Sequence, residues 1–179
     1  MKRLIGSVIV LLAITCFSLS CEKDDLCADG TPTTPSIIVE FYNKDNTEEL
    51  VNLVNLKYYA VGEADTLPDP LATANRIELP LRTNATSTKW GLMYTRRLSN
   101  GTFTPYNTDF IEFNYETLET YVSRACGYKT TFMLNPDSPE GSNPLLTDSD
   151  DTDGFWIDDV EVLTTNIENK DEVHIKILL

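Results

Sequence analysis

The side chains able to do chemistry are mostly carboxylates: 28 Asp and Glu stand against 14 Lys and Arg, one His and four Cys in 179 residues. Two carboxylates suffice for glycoside hydrolysis. Nothing in the spacing marks one pair among so many, and a small domain leaves little room for a deep cleft. Ser-His-Asp chemistry would have to use His174. That residue alternates with Val173 and Ile175 in a strand-like pattern, which predicts an imidazole facing solvent, not a catalytic base. The run Asp148-Ser149-Asp150-Asp151-Thr152-Asp153-Gly154 offers hard oxygen ligands at alternating positions and then a glycine, as calcium loops do. With Gly154 at loop position 6, Ser149, Asp151 and Asp153 take positions 1, 3 and 5, but position 12 is Val160, where an EF-hand needs a bidentate Glu. A looser calcium site through Asp151 and Asp153 remains open, beside the plainer reading of a solvated acidic loop. A formal charge of −14 argues against nucleic-acid binding, which needs clustered cations. No cofactor is expected, because one His and unclustered Cys leave little for zinc or thiol chemistry.

The cysteines say more about location than about catalysis. Lys2 and Arg3 precede an uncharged, mostly apolar run from Leu4 to Leu19, and Ser18 and Ser20 stand three and one residues before Cys21. This is a secretory leader layout. The run is slightly short for a spanning helix of about 20 residues, so an uncleaved anchor is the lesser reading. Small residues at those positions suit an ordinary signal peptidase. Leu19-Ser20-Cys21 also looks like a relaxed bacterial lipobox, with Ser18 where Leu is usual. Cleavage before Cys21 would remove Cys16, Lys2 and Arg3, leaving 12 bases against 28 acids, a charge of −16. Cys21, Cys27 and Cys126 would then remain, an odd number. Lipid on Cys21 leaves Cys27 and Cys126 as an even pair in an oxidising compartment, so a Cys27–Cys126 disulfide is expected. The membrane is then a partner through the N-terminal lipid. Glu22-Lys23-Asp24-Asp25 reads as a polar tether, and Lys23-Asp24-Asp25 resembles the export signal of Bacteroidota surface lipoproteins. The cell surface and the periplasmic face both stay open.

Several stretches together resemble an uncharacterised family of small Bacteroidota lipoproteins, mainly flavobacterial. They are Cys21-Glu22-Lys23-Asp24-Asp25-Leu26-Cys27, Thr31-Pro32-Thr33-Thr34-Pro35 leading into Ile38-Val39-Glu40-Phe41, Arg124-Ala125-Cys126-Gly127-Tyr128-Lys129, and Asn166-Ile167-Glu168-Asn169. The resemblance implies an outer-membrane location and a β-rich domain. It carries no catalytic motif and transfers no site residue. Asp65-Thr66-Leu67 resembles the O-glycosylation motif of extracytoplasmic proteins of that phylum, making Thr66 a weak modification candidate. Asn84-Ala85-Thr86 and Asn100-Gly101-Thr102 fit the N-glycosylation pattern, for which no use is expected in a bacterial lipoprotein.

The elements that must position these groups follow from period-two alternation. Ile37, Val39 and Phe41 form one face. Val54, Leu56, Tyr58 and Ala60 form the next, then Ile77, Leu79 and Leu81, with Pro80 pointing to an edge or strand end. Trp90, Leu92 and Tyr94 follow. Ser99-Asn100-Gly101-Thr102 suits a type I′ hairpin turn. Ile111, Phe113 and Tyr115 make a face, as do Tyr128, Thr130, Phe132 and Leu134. Trp156, Asp158, Val160 and Val162 alternate, and so do Val173, Ile175, Ile177 and Leu179. About eight short strands at this spacing predict an all-β fold, an antiparallel immunoglobulin-like β-sandwich with a long acidic loop. Leu118, Tyr121, Val122 and Ala125 have helical spacing before Gly127, but the β-favouring Thr117, Thr120, Tyr121 and Val122 make a strand or irregular connection the stronger expectation. Residues 135–154 carry three Pro, two Gly, six acids and no strand pattern, with Leu145 and Leu146 as a candidate pin onto the domain. The expected organisation is a leader over 1–20, an anchor and tether over 21–36, and a sandwich over 37–179. Its expected role is binding or structural, within the envelope or at the cell surface, with an envelope protein or a glycan as partner. Exposed aromatics could stack on sugars, although filling a core is their commoner use. The alternative is a carboxylate-dependent glycan hydrolase.

Overall fold

The structure is a computed structural model that describes residues 26–31, 33–63, 73–101, 103–135, 142–148 and 154–179. Among them are ten strands and no helix: β1 (Ile37–Tyr42), β2 (Leu56–Ala60), β3 (Arg76–Leu79), β4 (Ser87–Arg97), β5 (Phe103–Ser123), β6 (Gly127–Leu134), β7 (Leu145–Asp148), β8 (Asp159–Val162), β9 (Asn166–Ile167) and β10 (Ile175–Leu178). The chain forms two compact units. The larger holds residues 33–120 and 129–179, and the smaller holds residues 26–31 and 121–128.

The larger unit is a β-sandwich. One sheet has the order β3-β1-β10-β8, and the other runs β2-β4-β5-β6-β9 with β7 added on β5. Most pairs are antiparallel, as the alternation predicts. The centre of the first sheet is not: β1 and β10 run parallel, with Val39 opposite Ile175 and Phe41 opposite Ile177. Burial is not strictly alternating in this pair, which goes with apolar residues at successive positions at the start of β1 and the end of β10. Ile37, Ile38 and Val39 are all buried, and so are Ile175, Ile177 and Leu178. Pro80 directly follows β3, an edge strand, so its missing N–H leaves no gap in the ladder.

The core lies between the sheets. Ile37, Val39, Phe41, Ile77, Leu79, Ile175 and Ile177 from the first meet Leu56, Trp90, Leu92, Ile111, Phe113, Tyr115, Phe132, Leu134 and Ile167 from the second. Each large side chain fully removed from water stabilises the fold by about 1.5–3 kcal/mol before entropy is counted. The polar tips of Tyr115 and Trp90 are satisfied. The Tyr115 hydroxyl donates to the Arg82 carbonyl at 2.8 Å and lies 2.6 Å from the Thr88 hydroxyl. Trp90 Nε1 donates to the Pro80 carbonyl at 3.2 Å.

Two local expectations change, and one is met. The β4–β5 turn is closed by Gly101 N–H donating to the Leu98 carbonyl, and its left-handed residue is Gly101 (φ 87°), while Asn100 keeps a negative φ. A type I′ turn needs positive φ at both central residues, so this is a turn with the glycine placed after it. Residues 118–123 continue β5 as strand, so the helical spacing of Leu118, Tyr121, Val122 and Ala125 has no helix behind it. The stretch 135–154 also contains a strand that alternation missed. β7 pairs antiparallel with β5, Leu146 opposite Ile111 and Asp148 opposite Asp109. Leu146 packs against the core as the expected pin, and the four-residue strand is too short to declare itself by period.

Candidate functional site

The smaller unit is built around sulfur. Cys27 and Cys126 form a disulfide across a sequence separation of 99, with their Cα atoms 4.9 Å apart. Cys126 sits in the turn between β5 and β6, where its N–H donates to the Ser123 hydroxyl at 3.0 Å. Gly127 takes a left-handed φ of 71° that returns the chain into β6. Tyr121 and Tyr128, on the two strands of this hairpin, meet edge to face with ring centroids 5.5 Å apart. A groove of about 540 Å³ is lined by Leu26, Ala28, Thr31, Val122, Ser123, Arg124 and Cys126. Cys21 lies outside the described residues.

A second constellation brackets the acidic run. Asp109 on β5 is fully buried, and its Oδ2 accepts hydrogen bonds from the N–H groups of Trp156 (2.9 Å) and Ile157 (2.8 Å). Asn107, one strand repeat earlier, donates through Nδ2 to the Gly154 carbonyl at 2.5 Å. Residues opposite one another in an antiparallel pair share a face, so Asp148 projects on the same side as Asp109. Asp109 and Asn107 therefore clamp residues 154–157 and fix the far end of the acidic run. Asp151 and Asp153, the calcium candidates, lie outside the described residues. Among the described residues, no group of three or more His, Cys, Asp and Glu could hold a metal ion.

His174 is not the solvent-facing residue expected from alternation. It is fully buried. Its Nδ1 accepts the Ile38 N–H at 2.8 Å, and its own N–H donates to the Ile38 carbonyl at 3.0 Å. The imidazole thus stands where a strand carbonyl would otherwise extend the β1–β10 ladder. An accepting Nδ1 places the ring proton on Nε2. Burial pushes the pKa below the ordinary value, with Glu172 opposing and Arg76 adding to the shift. A buried neutral ring in a backbone ladder is a structural element, not an accessible base. Period-two reading failed here because Ile38 and His174 are buried as well as Val39 and Ile175, the residues that directly follow them.

The carboxylates do not converge on a deep cleft among the described residues. Glu116 and Glu168 line one shallow groove of about 290 Å³ with Thr117, Leu118, Phe132 and Asn166. Glu78 lines another of about 520 Å³ with Tyr58, Asn75 and Arg76, where it pairs with Lys170 at 2.8 Å. Thr66, the glycosylation candidate, lies outside the described residues. Two features escaped the sequence. Asp109 carries no signal that separates it from the other acids, since its role depends on N–H groups 47 and 48 positions away. The Tyr121–Tyr128 pair depends on hairpin register, which the helical spacing of the segment obscured.

Comparison with known proteins gives one result. Residues 55–179 match the model of a family described as a family of unknown function (DUF6452). No curated protein and no solved structure matches the chain.

Proposed function

We propose for this chain, which belongs to that family of unknown function, the role of a lipid-anchored protein of the outer membrane, tethered through Cys21 and displaying its β-sandwich for binding or structural work at the cell surface or the periplasmic face. The observation that carries the reading is the Cys27–Cys126 disulfide. A stable disulfide belongs to an oxidising compartment. With Cys27 and Cys126 joined, Cys21 is the odd cysteine beyond the leader, directly after small residues and before a charged tether. Lipidation gives that sulfur a partner. The partner of the displayed domain is an envelope protein or a glycan.

The test is mass spectrometry of the protein taken from native membranes. The expected N-terminal peptide begins at Cys21 and carries acyl chains, and globomycin or Cys21→Ala leaves a longer, unlipidated chain. A free amine on an unmodified Cys21 overturns the proposal.

A second reading, glycan hydrolysis by paired carboxylates, has the Glu116–Glu168 groove in its favour. It requires release of reducing ends from envelope polysaccharide that is lost in Glu116→Gln and in Glu168→Gln alike.

A further inference from the structure

The residues of the smaller unit are turned outward. None of 26–31 or 121–128 is buried, and its largest apolar side chains are the most exposed: Leu26 at 84%, Tyr128 at 67% and Tyr121 at 54%. The two rings touch, so they form one aromatic surface and not two scattered side chains. Arg124 is exposed in the turn between them, and among the described residues it has no ion pair. Asp29 and Arg124 are the only charges among these fourteen residues, which therefore sum to zero in a chain of net charge −14; the tether Glu22-Lys23-Asp24-Asp25 before them adds −2.

We propose that this surface seats in the headgroup layer of the same bilayer that holds the lipid on Cys21, with Leu26, Tyr121 and Tyr128 entering the interface and Arg124 meeting lipid phosphate. The inference rests on the lipid-anchor reading and deepens it.

Four arguments select a bilayer as the occupant. The first is reach. Only five residues, Glu22 to Leu26, separate Cys21 from Cys27, and the six extended steps between the two cysteines span at most about 20–22 Å. The disulfide hands that limit on to Cys126 and its hairpin. The second is chemistry. Tyr has an apolar ring and a hydroxyl that stays hydrated, so it concentrates at membrane–water interfaces. The third is the cation. Arg presents a planar fork of donors that fits phosphate, on an apolar stem that can lie among lipid. It stands at the groove of about 540 Å³ that also contains Ser123 and Leu26, where a headgroup can enter. The fourth is charge. An anionic leaflet repels a strongly acidic protein, and residues 26–31 and 121–128, which sum to zero and expose Arg124, are the part that can approach.

The experiment uses the full-length lipidated chain with Tyr128→Trp, reconstituted in phosphatidylethanolamine–phosphatidylglycerol vesicles. The parent chain supplies the background from Trp90 and Trp156. Lipids brominated near the carbonyl end of the acyl chain should quench roughly half of the added emission, since interfacial aromatics sit at that depth. Tyr121→Trp should behave alike. Acyl groups on Cys21 are measured on the same sample. If Cys21 is acylated and the protein stays on the vesicles, but the added Trp emits as an exposed, unquenched indole, the seating is overturned and the anchor stands. If Cys21 carries no acyl group, both fall. Quenching relieved by a soluble envelope glycan would assign the tyrosines to that glycan instead.

Discussion

The two units reach order by different means. Among its described residues the larger one has nineteen buried apolar residues in a single cluster between two sheets. The smaller one has no buried residue among the described residues and is cross-linked by the Cys27–Cys126 disulfide. Apolar burial scales with size, so a few residues from two chain segments cannot exclude enough water to offset the entropy of ordering them. A disulfide does that work by restricting the unfolded chain instead. The contrast separates tasks as well. The sandwich buries Phe41, Trp90, Phe113, Tyr115 and Phe132 in its core, whereas the stapled unit leaves both of its aromatic rings exposed.

The largest expected effect tests the sandwich side of this contrast. Phe113 is fully buried in the core, and Phe113→Ala should destabilise the protein by about 3–5 kcal/mol, read as a lower midpoint in urea unfolding. Tyr128→Ala removes another aromatic ring from a site that is 67% exposed, and should stay within about 0.5 kcal/mol of the parent. Equal costs for the two would abolish the contrast.

The next effect belongs to the disulfide. For a loop of about 100 residues the chain-entropy model gives about 4–5 kcal/mol as an upper figure, and about 2–4 kcal/mol is the usual return. Replacing Cys27 and Cys126 together by Ser should lower the unfolding midpoint by that order. It should also speed trypsin cleavage after Arg124 far more than after Lys89 in β4. A double variant in which both sites slow or quicken together would mean that the bond stabilises the sandwich and leaves the smaller unit no less ordered.

The sequence made the two units unequally legible. The faces Ile37-Val39-Phe41, Ile77-Leu79-Leu81 and Ile111-Phe113-Tyr115 are all core, because alternation reports one-sided burial directly. The all-β sandwich was legible for that reason, and the Cys27–Cys126 pairing followed from parity once Cys21 was set aside. What stayed hidden depends on distant partners. Alternation says nothing of strand order, so the parallel β1–β10 pair and the burial of His174 were invisible. Period also fails for a strand as short as β7. The Asp109 clamp uses backbone N–H groups, which every residue but proline has and no composition marks.

A smaller effect probes the outer face of the second sheet. Gly91 on β4 stands opposite Tyr59 on β2, whose ring lies across it and meets Phe110 edge to face. A Cβ at Gly91 would lie 2.5 Å from Tyr59 Cζ, so Gly91→Ala must push the ring away. The displaced atoms are the far end of a flexible side chain, which keeps the cost to about 1–2 kcal/mol. Adding Tyr59→Ala should remove most of that cost, because the two substitutions act through one contact. Strict additivity in the double variant would break the assignment.

The smallest effect is the one that pH can reveal, and it again sets the buried side of the molecule against the exposed one. His174 accepts a hydrogen bond from Ile38 N–H, so its Nδ1 must stay unprotonated in the folded state. Burial depresses its pKa; Arg76 on β3 pushes the same way and Glu172 pulls against both. The unfolded chain has an ordinary His, near about 6.5, and binds a proton before the folded one does. Where the unfolded state binds more protons, stability rises with pH. The contribution is therefore complete above about 6.5 and declines as pH falls from there toward the depressed folded value. Surface carboxylates titrate mostly lower, and partial neutralisation of an acidic chain relieves repulsion, which works in the opposite direction. A fall in the urea midpoint between pH 7.5 and pH 5.5 thus reports the imidazole against that background. His174→Asn keeps an acceptor oxygen near the place of Nδ1 and cannot take up the proton. It should start from a somewhat lower midpoint and lose less of it over the same interval. If the parent and the Asn variant decline in parallel, another group carries the pH dependence, and the buried ladder position of His174 has no energetic consequence.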